Sequence, residues 1–191
     1  VYVPGFDGDF SPDLYAHMAS GDSVWTGISG GAPDSCCYMA VANNLLWGGN
    51  WVVAGENHMI RSTTDGTDTS NWSSSIAIGD STALINSMVG IGTTLFIGKQ
   101  DGIWVYYPDG TTQNLTPEFA TDLWSVNNFR HMINWHGRLV APYGDESGEG
   151  GLKLITPSGS IEDISPRLYM PELTEFHGWI EALAADPLDT D

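Results

Sequence analysis

The run Gly92-Thr93-Thr94-Leu95-Phe96-Ile97-Gly98, followed by Asp101-Gly102-Ile103-Trp104 and then Pro108-Asp109-Gly110, decides the fold. Its apolar residues come in short stretches bounded by Gly, Asp and Pro. They do not form a 3.6-residue stripe, so they read as strands joined by tight turns. Pro108-Asp109-Gly110 is a hairpin turn, in which Pro fixes one φ and Gly accepts a positive one. The same layout recurs on both sides. Upstream stand Asn43-Asn44-Leu45-Leu46-Trp47, Met59-Ile60, Thr64-Asp65-Gly66 and Trp72. Downstream stand His136-Gly137-Arg138-Leu139-Val140-Ala141-Pro142, Gly150-Gly151-Leu152 and Pro157-Ser158-Gly159. Leu46, Leu95 and Leu139 are 49 and 44 residues apart, and Gly66, Gly110 and Gly159 are 44 and 49 apart. Each spacing shifts by the length of one loop, as insertions at turns require.

Four strands in such a period is the size of one propeller blade. The sequence therefore predicts an all-β chain, a β-propeller of about four blades of four antiparallel strands. The approximate repeats are 1–35, 36–82, 83–127 and 128–175, with 176–191 opening a further blade. Val1-Tyr2-Val3-Pro4-Gly5 matches Leu139-Val140-Ala141-Pro142-Tyr143, so the first copy lacks its opening strand. Trp179 to Ala185 reads as an opening strand without the rest of its blade. Both ends read as truncation, which favours a slice of a larger propeller over a closed four-bladed ring. One short helical turn is expected near Pro171 to Thr174. The shared register predicts burial of Leu46, Ile60, Leu95, Ile97, Ile103, Leu139 and Leu152.

Thr63-Thr64-Asp65-Gly66 with Asn71-Trp72-Ser73 resembles the Asp-box hairpin of sialidase-type β-propellers. The spacing departs from that motif, with five residues between Gly66 and Trp72, and the other copies lack the Trp. The resemblance implies that Asp65 accepts backbone hydrogen bonds inside its own hairpin. More broadly, Leu95 to Trp104 resembles blades of propellers in tail and host-contact proteins of bacterial viruses. That resemblance implies a structural or binding role on a virion.

Composition narrows the partners. The 191 residues carry 6 Lys+Arg against 24 Asp+Glu, a formal charge of −18, yet 41 % are apolar. That is too apolar for a disordered acidic chain. Six scattered cations cannot neutralise a row of phosphates, which argues against a nucleic-acid partner. Membrane insertion is not expected, because no apolar run approaches the ~20 residues of a spanning helix. Many of the acids stand beside Gly or Pro, where Asp caps turns, and turn duty accounts for about half of the charge. Cys36 and Cys37 are adjacent and point to opposite faces of a strand, so they read as two reduced thiols, at least one buried.

The chemistry to expect is modest. His131 and His177 stand 46 residues apart at equivalent blade positions, beside Arg130. They read either as a channel-end ligand funnel or as blade-stitching groups, the second being the better fit. Two His without fixed carboxylates make a poor metal site, so neither metal nor cofactor is expected. Four arginines, scattered through the chain, do not supply the substrate clamp that sialidase activity needs. His17, His58 and His136 sit in turn-like contexts and are expected to meet solvent. Trp51 follows Gly48-Gly49-Asn50 and Trp124 follows Asp122, so these two are the candidate exposed aromatics. The candidate ligand-binding residues are thus Trp51, Trp124, Arg130, His131 and His177. The reading is a non-enzymatic binding or scaffold propeller, extracellular or on a virion, a tail or host-contact protein. Its expected partner is a glycan or protein of a cell surface, or a neighbouring virion protein, with homo-oligomerisation left open. The alternative is a secreted carbohydrate-active hydrolase of propeller fold.

Overall fold

Two-residue turns launch three of the sheets. Asn43-Asn44 (φ 53° and 58°) and His136-Gly137 (49° and 76°) place both turn residues in the left-handed region, and Gly92-Thr93 places Gly92 there (60°). Such turns match the twist of antiparallel strands and fix their register. The computed structural model describes residues 2–6, 12–17, 26–28, 36–51, 55–64, 71–115, 131–144 and 150–164. Asp65, Trp124, Arg130, His177, residues 171–174 and Trp179 to Ala184 lie outside the described residues.

The strands are β1 (Tyr2–Phe6), β2 (Pro12–His17), β3 (Thr26–Ile28), β4 (Cys36–Ala42), β5 (Leu45–Trp51), β6 (Met59–Thr63), β7 (Ile76–Ala77) and β8 (Ile85–Ile91). They continue as β9 (Thr94–Lys99), β10 (Gly102–Tyr106), β11 (Thr112–Asn114), β12 (Ile133–Trp135), β13 (Arg138–Gly144), β14 (Gly150–Ile155) and β15 (Ile161–Asp163). They form one sheet of three strands, β1-β2-β3, and three of four, β4-β5-β6-β7, β8-β9-β10-β11 and β12-β13-β14-β15. Every pairing is antiparallel between sequential strands. No described residue is helical. The all-β expectation and the four-stranded unit hold. In the β1–β2 hairpin Phe6 pairs with Pro12, and in the β13–β14 hairpin Gly144 pairs with Gly150.

Strand alternation divides the core between sheets. On β9, Leu95 and Ile97 point toward the second sheet and join Ala42, Trp47, Ile60 and Ile85 in one buried cluster. Phe96, between them, points the other way and joins Ile103, Val105, Met132, Leu139 and Ile155 against the fourth sheet. Smaller buried clusters lie on the other faces of the second and fourth sheets. Cys36 and Trp51 form a cluster on the second sheet, and Val140, Leu152 and Leu154 form one on the fourth. The seven residues expected in the core are all buried.

The opening strands lie next to one another, β1 by β4, β4 by β8 and β8 by β12. Between β4 and β8 the approach is so close that a Cβ on Gly90 would stand 1.8 Å from the carbonyl oxygen of Val41. At the end away from the two-residue turns, Lys99 clamps the third sheet to the second. Its side chain is 0 % exposed, and Nζ donates to the carbonyls of Ile78 (2.6 Å) and Asp80 (2.7 Å). The ammonium lies 5.9 Å from the centre of the Trp104 ring and 3.9 Å from Asp101 Oδ1.

Candidate functional site

At the end that carries the two-residue turns, the second and third sheets part to leave a cleft of about 200 Å³. Asn43 and Thr93, one from each turn, line it together with Ser62 and Ser73 and with the apolar Leu45, Trp47, Ile76, Leu95, Tyr106 and Pro108. The Asn43 N–H donates to the carbonyl of Gly92 at 2.9 Å and so fixes the two turns side by side. Trp47 and Tyr106 meet with ring centres 4.9 Å apart and planes inclined by 58°. The Trp47 Nε1–H donates to the Ala42 carbonyl at 3.2 Å, which pins the indole. Ser73 Oγ accepts from the Ser62 N–H at 2.9 Å and donates to the Ser74 carbonyl at 3.1 Å. The site is therefore largely preset, and among the described residues no charged side chain lines it. Its size lies below the roughly 300–1,000 Å³ of a drug-sized ligand site.

Many charged groups among the described residues serve the fold. Arg61 pairs with Glu56, with its guanidinium 5.5 Å from the centre of the Trp51 ring. Lys153 pairs with Asp163 at 2.8 Å, directly opposite it on β15. Asp80 accepts from the Thr82 N–H at 2.7 Å, and that bond leads in holding its carboxyl below the usual carboxylate range. The Thr111 hydroxyl (2.6 Å) and N–H (2.9 Å) do the same for Asp109, inside Pro108-Asp109-Gly110. Among the described residues, no three His, Cys, Asp or Glu side chains are placed to hold a metal ion.

Of the five residues chosen from sequence, Trp124, Arg130 and His177 lie outside the described residues, and neither Trp51 nor His131 is among the lining residues of the cleft. Trp51 is a correction. It ends β5 and is 1 % exposed, packed edge-on against Trp72 with ring centres 5.3 Å apart. The Gly48-Gly49-Asn50 stretch that suggested a loop is strand. Glycine stands there because a Cβ at Gly48 would meet the Trp51 ring at 2.7 Å, and one at Gly49 would meet Met88 Sδ at 2.5 Å. Asn50 takes φ 55°, and its Nδ2 donates to the Ile85 carbonyl at 2.9 Å. His131 is half-buried beside the buried Met132. His58, expected at the surface, is only 7 % exposed, and its carbonyl accepts from the Ile78 N–H. Sequence reasoning missed Asn43, Thr93, Ser62 and Ser73. The available signal was that Asn43 and Thr93 occupy the turns before aligned second strands.

With the geometry described, comparison with known proteins adds one thing. No family model matches the chain, and no curated protein matches it. Solved structures do. One is the extracellular domain of a one-component system from B. thetaiotaomicron, at 14 % identity and TM-score 0.53, over 80 % of this chain and 20 % of that one. Another is the extracellular domain of a hybrid two-component system of the same organism, at 13 % identity and TM-score 0.55, over 86 % and 22 %. What is shared is the fold. The chain spans about a fifth of the length of these structures. Among the described residues, no helix is long and apolar enough to cross a membrane.

Proposed function

We propose that the chain is a segment of an extracellular β-propeller whose work is recognition of a surface glycan or protein, not catalysis. The observation that carries this reading is a buried apolar cluster on each face of three successive four-stranded sheets, with their opening strands adjacent. A two-sheet sandwich leaves each sheet one outer face, whereas blades around an axis are covered on both. The fold shared with extracellular domains supports the setting, and the length of those domains supports the slice over the complete ring. The commitment of Lys99, Arg61, Lys153, Asp80 and Asp109 to packing and turns supports binding over acid–base chemistry. A virion tail or host-contact setting is the narrower form of this proposal and rests on the resemblance of Leu95 to Trp104 alone. The test is to apply the purified chain to an array of surface glycans and to intact bacterial cells, with chromogenic glycosides in parallel. Retention without turnover is expected. Turnover of a glycoside would move the reading to the hydrolase, and no retention on either surface would refute it.

A further inference from the structure

We propose that the cleft between the second and third sheets binds one neutral sugar ring. This rests on the reading of the chain as a recognition module and names the ligand of the cleft. The lining offers the half-buried Tyr106 ring, with Leu45, Ile76 and Pro108, as apolar surface suited to the C–H face of a pyranose, and the buried Trp47 backs the Tyr106 ring with centres 4.9 Å apart. The exposed Asn43 and Thr93 offer an amide and a hydroxyl, which both donate and accept, as sugar hydroxyls do, while Ser62 and Ser73 are bonded to each other and Ser73 to the Ser74 carbonyl. A purely apolar ligand would cover the Asn43 amide and the Thr93 hydroxyl without pairing them.

Charge selects further. With no cation in the lining among the described residues and a formal charge of −18 on the chain, a uronate or phosphosugar meets net repulsion. A cationic ligand finds no carboxylate among the described residues of the lining. Size selects against a chain of sugars lying wholly inside about 200 Å³, and a protein partner needs roughly 1,200 Å² or more of buried surface. The bond from Asn43 N–H to the Gly92 carbonyl, and those that hold Trp47 and Ser73, preset the site, which lowers the cost of binding.

The experiment is an NMR titration of the ¹⁵N-labelled chain with glucose, galactose and N-acetylglucosamine, with glucuronate as the charged control. At least one neutral sugar should shift the amides of Asn43, Asn44 and Thr93 and the Trp47 indole, and glucuronate should bind about tenfold or more weakly. Thr93→Trp, at an exposed turn position, should block the mouth and weaken binding about tenfold or more at an unchanged melting temperature, while Thr93→Ser should keep it. If Thr93→Trp does not fold, the map of shifts on the natural chain decides. No binding by any neutral sugar, shifts confined to other residues, or full affinity in a folded Thr93→Trp variant would each overturn the proposal. Retention on the glycan array or on cells with unchanged Thr93→Trp binding would sink the cleft alone. Absence of any retention would sink the recognition reading with it.

Discussion

Lys99 is one of two lysines in the chain, and it is spent in the interior. A buried ammonium is costly unless its donors are all used. Here two carbonyls of the segment after β7 take two of them, and Asp101 stands near. Burial draws the ammonium below its ordinary value, opposed by Asp101 and Asp80. Lys99→Met keeps the stem and removes the donors, leaving the Ile78 and Asp80 carbonyls without this partner. We expect a loss of about 3 kcal/mol, read by urea unfolding; a loss below about 1 kcal/mol would remove the clamp from the account. Cys36 gives a pH-dependent counterpart. Burial, aided by the Cys37 thiol, pushes its pKa up from 9.0 to about 12. The folded state therefore holds this proton more tightly than the unfolded one. The stability it contributes is complete below pH 9.0 and is lost as pH rises toward about 12. Near pH 10.5 the loss should be about 2 kcal/mol, and Cys36→Ala should lack it. Melting curves of both proteins at about pH 8 and pH 10.5 check this; equal alkaline losses would contradict it. Iodoacetamide at neutral pH should label the exposed Cys37 and spare Cys36.

Within the elements, turns and contact glycines do different work. Gly92 serves a turn through its positive φ, whereas Gly90 serves the contact between β4 and β8. In Gly90→Ala the new methyl meets the Val41 carbonyl, a backbone atom that cannot swing aside. We expect this substitution to cost about 1–3 kcal/mol by overpacking and to shift the amides of β4 in NMR spectra. A neutral effect with no change in β4 would show that the sheets separate freely. The two glycine roles explain what was legible in the sequence. Asn43-Asn44, Gly92-Thr93 and His136-Gly137 announce their hairpins because local turn chemistry needs nothing distant. Leu46, Leu95 and Leu139 are legible because each is the second residue of the second strand in its sheet. Gly48-Gly49-Asn50 misleads because glycine forced by a neighbouring Trp51 or Met88 looks the same as glycine in a loop. Nothing in the sequence near Lys99 indicates that the Ile78 and Asp80 carbonyls return to it. The cleft is hidden for the same reason, since its two halves come from different sheets.

At the scale of the molecule, the sheets communicate through their faces, and β9 sits at the centre. Its neighbours Leu95 and Phe96 are both buried, yet they belong to different interfaces. Leu95→Ala should cost about 2–5 kcal/mol and Phe96→Ala about 3–5 kcal/mol, values that alone would not tell the faces apart. Hydrogen exchange does. In a stack whose units touch only their neighbours, a cavity weakens the interface it lies in before it weakens the others. Leu95→Ala should therefore speed exchange in β4, β5 and β6 relative to β12, β13 and β14, and Phe96→Ala should do the reverse. A sandwich with one shared core predicts equal acceleration of both groups from either substitution. That equality would refute the stacked-sheet account of the molecule, and with it the propeller reading, while leaving the secondary structure intact.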